Sequence, residues 1–118
     1  MYQELRVIED TLQRAAVDLN RGVDVNHDGK INCIDAAVLF YQYYPDKNKV
    51  LILVNKNDST GMWHLFNMVY VDNGWRGIEP QAAWRNNRSY WMADVWGRQY
   101  NKDFNRNVTA DYIRYVKL

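Results

Sequence analysis

One thiol, two imidazoles and a loop crowded with oxygen-bearing side chains are the places where this sequence could do chemistry. Cys33 is the only cysteine, so no internal disulfide can form, and its sulfur is either a small apolar core atom or a nucleophile. A thiolate that attacks a carbonyl needs a partner to move protons. Only His27 and His64 supply an imidazole. His27 sits in a polar loop and is expected to point to solvent. His64 opens a long apolar stretch, so it is the candidate base.

The loop runs Asp24-Val-Asn-His-Asp-Gly-Lys-Ile-Asn-Cys-Ile-Asp35. Asp24, Asn26, Asp28, Lys30 (through its carbonyl), Asn32 and Asp35 fall at the spacing of an EF-hand-type calcium loop, with Gly29 at the sharp bend and Ile31 as the apolar anchor. The spacing suits the ion, because Ca²⁺ takes about six to eight oxygen ligands from a tightly curled chain. Position 12 is Asp rather than Glu, and in this the stretch resembles a dockerin repeat. Dockerins carry two repeats and this chain has one. The expected cofactor is Ca²⁺, held over residues 24–35. Its charge would lift the local sum of Asp24, Asp28 and Asp35 from −3 to −1 beside Cys33, worth about 1–3 kcal/mol to a thiolate at about 10 Å.

The elements that must position these groups follow from periodicity. Leu5, Ile8, Leu12, Ala15, Ala16 and Leu19 recur at helical spacing, so residues 2–20 read as an amphipathic helix stopped near Gly22. Residues 33–44 are apolar almost all round and read as a buried helix ending before Pro45. Cys33 then lies in a first helical turn, where free N–H groups and the macrodipole favour a thiolate. Val50–Val54 reads as a buried strand, residues 62–72 as a long strand and residues 75–79 as its hairpin partner, joined through Asp72-Asn-Gly. Residues 81–107 read as loops with one short helix near Tyr90–Val95. Tyr112–Val116 reads as a last strand. Helices followed by strands give an α+β domain, single over residues 1–118, with an antiparallel sheet.

On Trp63-His64-Leu65-Phe66-Asn67-Met68-Val69-Tyr70, Asn73-Gly74-Trp75 and Ile78-Glu79-Pro80, the chain resembles the transglutaminase-like core of papain-related enzymes. The resemblance covers about residues 31–84. It implies a papain/transglutaminase-like fold with Cys33 as nucleophile, His64 as general base and acid, and Glu79 orienting the imidazole. The family places Asp where Glu79 stands. Asp72 is the fallback acid, although the hairpin tip suits a turn role. The Cys33 N–H is a natural oxyanion donor, with Asn26 or Gln13 as a second.

Composition narrows the function classes. Fifteen basic and fourteen acidic residues give a net charge of +1, which makes no case for nucleic acid or a membrane surface. The N-terminus shows no apolar h-region, which suits a cytoplasmic protein or a fragment of an exported one. The expected function is cysteine-dependent acyl transfer on amide bonds of a peptide or protein substrate. Hydrolysis is favoured over transamidation, since no amine site stands out. Trp63, Trp75, Trp84, Trp91 and Trp96 could wall the cleft. The alternatives are a non-catalytic calcium-dependent binding module, dockerin-like or carbohydrate- or protein-binding, and a catalytically dead member of the same fold.

Overall fold

A computed structural model of the chain describes residues 2–56, 63–85 and 105–117. Helix α1 spans Tyr2–Asn20. It buries Ile8, Thr11, Ala15 and Leu19, one residue per turn. Gly22 ends it at φ +80°. There the N–H of Gly22 reaches the Leu19 carbonyl at 3.0 Å and that of Val23 reaches the Asp18 carbonyl at 3.0 Å, a Schellman closure.

Helix α2 spans Cys33–Tyr43. Every residue from Asp35 to Tyr41 is buried, as its all-round apolar sequence requires, because α1 covers one side and the sheet the other. A short 3₁₀ turn at Lys47–Lys49 leads into strand β1, Val50–Lys56. Strands β2 (Trp63–Val71) and β3 (Gly74–Ile78) form the expected hairpin. Asp72 and Asn73 both take positive φ, at 52° and 65°, the conformation that Asn-Gly hairpins favour. Helix α3 follows at Pro80–Arg85, strand β4 at Asn105–Asn107 and helix α4 at Thr109–Val116. The sheet is antiparallel throughout, in the order β3-β2-β1-β4. The fold is α+β.

The central strand is buried on both faces. Leu65, Val69 and Val71 join Ala37, Val38 and Phe40 in the main core, while Phe66 and Met68 pack with Leu53 and Trp75 on the other side. Fully burying a residue such as Phe40 contributes about 1.5–3 kcal/mol. Among the described residues, no helix is long and apolar enough to cross a membrane.

The C-terminal segment departs from its sequence reading. Tyr112–Val116 is helical, not a strand. Its aromatic and β-branched residues favour a strand locally, but Val108, Tyr112, Ile113 and Val116 fall at helical spacing and all pack on the main core. Asn107 accepts the Thr109 N–H at 3.0 Å in a turn just ahead of the helix, whose cap position is Val108. Residues 81–85 and 105–107, expected as loop, belong to a helix and a strand. The short helix expected near Tyr90–Val95 lies outside the described residues.

Candidate active site

Cys33 is the first residue of α2, and a capping box fixes that helix start. The Asn32 side chain accepts the Ile34 N–H at 3.0 Å, and the Asp35 carboxylate accepts the Asn32 N–H at 2.8 Å. The sulfur is half-buried. It lies close enough to the His64 ring and the Leu65 N–H for both to stabilise its thiolate form.

His64 is the second residue of β2. Glu79 directly follows β3, whose last residue, Ile78, pairs with Asn67. One further step of that register sets Glu79 opposite Phe66, on the diagonal to His64. The Glu79 Oε2 holds His64 Nε2. That engages one ring nitrogen and leaves Nδ1 for the thiol. The His64 ring also lies over Phe66, with centroids 6.5 Å apart and planes 17° apart. Pro80 opens α3 immediately after Glu79, whose carbonyl takes the Ala83 N–H at 3.2 Å, so the acid is fixed where strand turns into helix.

Electrostatics favours charge separation between sulfur and ring. Burial alone would raise the thiol pKa, but the bonds from His64 and the Leu65 N–H more than reverse it and hold Cys33 below its ordinary value. The His64 imidazole is raised from 6.5 to about 10, first by its bond with Cys33 and then by that with Glu79. The structure thus brings together Cys33, His64 and Glu79. Asp72 is a turn residue, paired with Arg76 at 3.3 Å and exposed.

The other side chains expected near the thiol lie elsewhere. Gln13 is exposed on α1 and Asn26 lies in the loop between Asp24 and Asp28. Tyr112 of α4 stands near the sulfur instead: burial raises its phenol pKa, and the Cys33 charge raises it further. Trp75 pairs edge-on with Tyr70 at the far end of the hairpin, and Trp84 donates to Asn20 at 2.8 Å beside α1. Neither walls a cleft at Cys33. Trp63, next to His64, is 54% exposed. Trp91 and Trp96 lie outside the described residues. That Tyr112 comes near the thiol was hidden by its strand-like local sequence.

The loop before Cys33 curls as its spacing requires. His27 and Gly29 adopt left-handed φ of 56° and 81°. Asp24 accepts the N–H groups of Gly29 at 2.7 Å and Asp28 at 3.3 Å, and Asp28 accepts that of Lys30 at 2.9 Å. Desolvation alone would raise Asp24, but those Gly29 and Asp28 bonds outweigh it and hold its carboxyl below the usual value. Ile31 packs beside Leu19 and Leu39 as the anchor. Asp35 is fully buried and spends one oxygen on the Val25 N–H at 2.8 Å and the other on Asn32. Burial raises its pKa, and those N–H groups pull back only part of the rise.

Among the described residues, no three His, Cys, Asp or Glu side chains converge as a metal-ligand group. The oxygen cluster that does form uses an amide. The end of the Asn26 side chain lies 2.8 Å from one Asp24 oxygen and 3.2 Å from one Asp28 oxygen. With its nitrogen inward it donates to both carboxylates. With its oxygen inward three oxygens converge, an arrangement that a hard cation satisfies. The residues therefore fit Ca²⁺ at Asp24, Asn26 and Asp28.

Compared with protein-family models, curated proteins and solved structures, the chain matches none.

Proposed function

We propose that this chain is a cysteine-dependent hydrolase of amide bonds, on a papain/transglutaminase-like variant of the α+β fold. The observation that carries the reading is the His64 ring held by the Glu79 carboxylate and electrostatically coupled to the half-buried Cys33 thiol at the start of α2.

The Cys33 thiolate attacks the amide carbonyl carbon and forms a C–S bond, pushing the π electrons onto oxygen. The Cys33 N–H, in the first turn of α2, faces that developing charge as donor. Collapse breaks the C–N bond, and the His64 imidazolium gives its proton to the leaving amine. Neutral His64 then takes a proton from water, whose oxygen attacks the thioester. Collapse releases the acid and returns the sulfur as thiolate beside imidazolium. Glu79 keeps the ring in register and stabilises its charged form throughout.

Asp24, Asn26 and Asp28 would hold Ca²⁺, with the Lys30 carbonyl as a further oxygen donor, while the Asn32 and Asp35 side chains are committed to the cap of α2. When bound, the ion supplies positive charge that closes the loop and offsets its carboxylates. The chain's own link from loop to thiol is Asp35, which ties Val25 to the cap of the Cys33 helix.

The test is turnover on a peptide and glutamine library, with acyl-enzyme detected by intact mass. Wild type is expected to cleave and to carry a Cys33 adduct that Cys33→Ala lacks and His64→Ala forms far more slowly. A wild type with no turnover and no adduct across the library overturns the reading in favour of a non-catalytic module.

A further inference from the structure

The fully buried polar side chains among the described residues are Thr11, Asp35 and Asn67. Thr11 bonds back within α1, to the Val7 carbonyl at 2.7 Å, and Asp35 caps α2. Asn67 does neither. It sits at the centre of β2, wholly buried, on the face that carries Leu65, Val69 and Val71 toward α2. Its amide nitrogen donates to the Ala37 carbonyl at 3.0 Å and to the Leu51 carbonyl at 3.2 Å, while its Oδ1 has no hydrogen-bond partner.

Three features distinguish this from ordinary core packing. Ala37 lies inside α2, where its carbonyl already belongs to the helix ladder, so it does not need a side-chain donor. An apolar residue of the same shape would fill the space without a stranded oxygen, and removing both polar partners from a core is often neutral or stabilising. The placement is also specific. Ala37 is one turn beyond Cys33 on the helix, and Asn67 is three residues beyond His64 on the strand. The tether therefore joins the same two elements that carry thiol and imidazole, one turn deeper in the core.

We propose that Asn67 is a positioning residue for the Cys33–His64 pair. Its amide pins α2 to the middle of the sheet and sets the height at which the sulfur meets the ring. This rests on the hydrolase reading above, in which that meeting activates the thiol. Without the pin, α2 can slide along its apolar bed, whose side chains resist displacement but specify no single register.

The experiment is a double-mutant cycle on the full chain, reading the rate of Cys33 alkylation by iodoacetamide at fixed pH, with folding followed by circular dichroism. Asn67→Leu is expected to keep the fold and slow alkylation by roughly tenfold to a hundredfold. In a His64→Gln background the same change is expected to have no further effect, because the geometry it sets no longer matters. Asn67→Ala gives a second measure that avoids overpacking. Equal slowing by Asn67→Leu in both backgrounds, or none in either, overturns the proposal. So does failure of both Asn67 variants to fold, which would make the residue structural only. If His64→Gln alone leaves alkylation unchanged, the hydrolase reading itself falls and takes this inference with it.

Discussion

At the scale of the residue, the account depends on how three side chains share two protons. The His64 ring stands between a sulfur and a carboxylate, and each neighbour favours its charged form. Removing Glu79's charge should leave the ring in place but free to turn: Glu79→Gln is expected to lower turnover by about 10²–10⁴-fold with little change in thermal stability, read from steady-state kinetics beside a melt. The pH dependence has a definite sign. Because His64 is raised to about 10 from 6.5, its contribution to stability is complete below about 6.5 and is lost as pH rises toward about 10. Denaturant unfolding should show the gap between wild type and His64→Gln closing over that range. The lowered Cys33 acts the other way, its contribution being lost as pH falls through its folded value.

How legible these residues were varied with their kind. Cys33 and His64 stand out because the chain has one cysteine and two histidines, and His27 is spent on a turn. Glu79 was legible through the resemblance and through its place before Pro80, with Asp72 set aside as a hairpin-tip residue; the structure pairs Glu79 with His64 and Asp72 with Arg76. Asn67 gave no sign in the sequence, since an Asn in a strand reads as a surface residue until the strand is known to be covered on both faces.

At the scale of the element, the start of α2 decides whether the thiol is presented at all. The capping box is a local device, legible in Asn32 and Asp35 at their spacing, and it competes for the same two side chains that the calcium spacing would use. Asn32→Ala should destabilise the protein by about 1 kcal/mol in denaturant unfolding. Asp35→Ala should cost more, about 2–3 kcal/mol, because it strands the half-buried N–H groups of both Val25 and Asn32. Helix α4 shows the limit of local reasoning. Tyr112, Ile113, Tyr115 and Val116 favour a strand locally, and only the spacing from Val108 to Val116, together with a core to receive it, selects a helix.

At the scale of the whole molecule, α2 lies between α1 and the sheet, so the helix that carries the thiol is buried along its middle and open at its start, where Cys33 sits. The loop of residues 24–35 is the device at that open end. Saturating Ca²⁺ at about 100 times its Kd should stabilise the fold by about 2.7 kcal/mol, a rise of roughly 10 °C in Tm that chelation reverses in a thermal melt. Chelation should also slow Cys33 alkylation, through Asp35 and the helix cap.

The claim beneath all of this is that Cys33 is activated by His64, and the pH profile of iodoacetamide alkylation measures it most directly. Wild type should stay reactive well below the pH at which an ordinary thiol loses its reactivity, while His64→Gln should follow the ordinary thiol. Two coincident profiles, both rising only where a free cysteine ionises, would contradict the account.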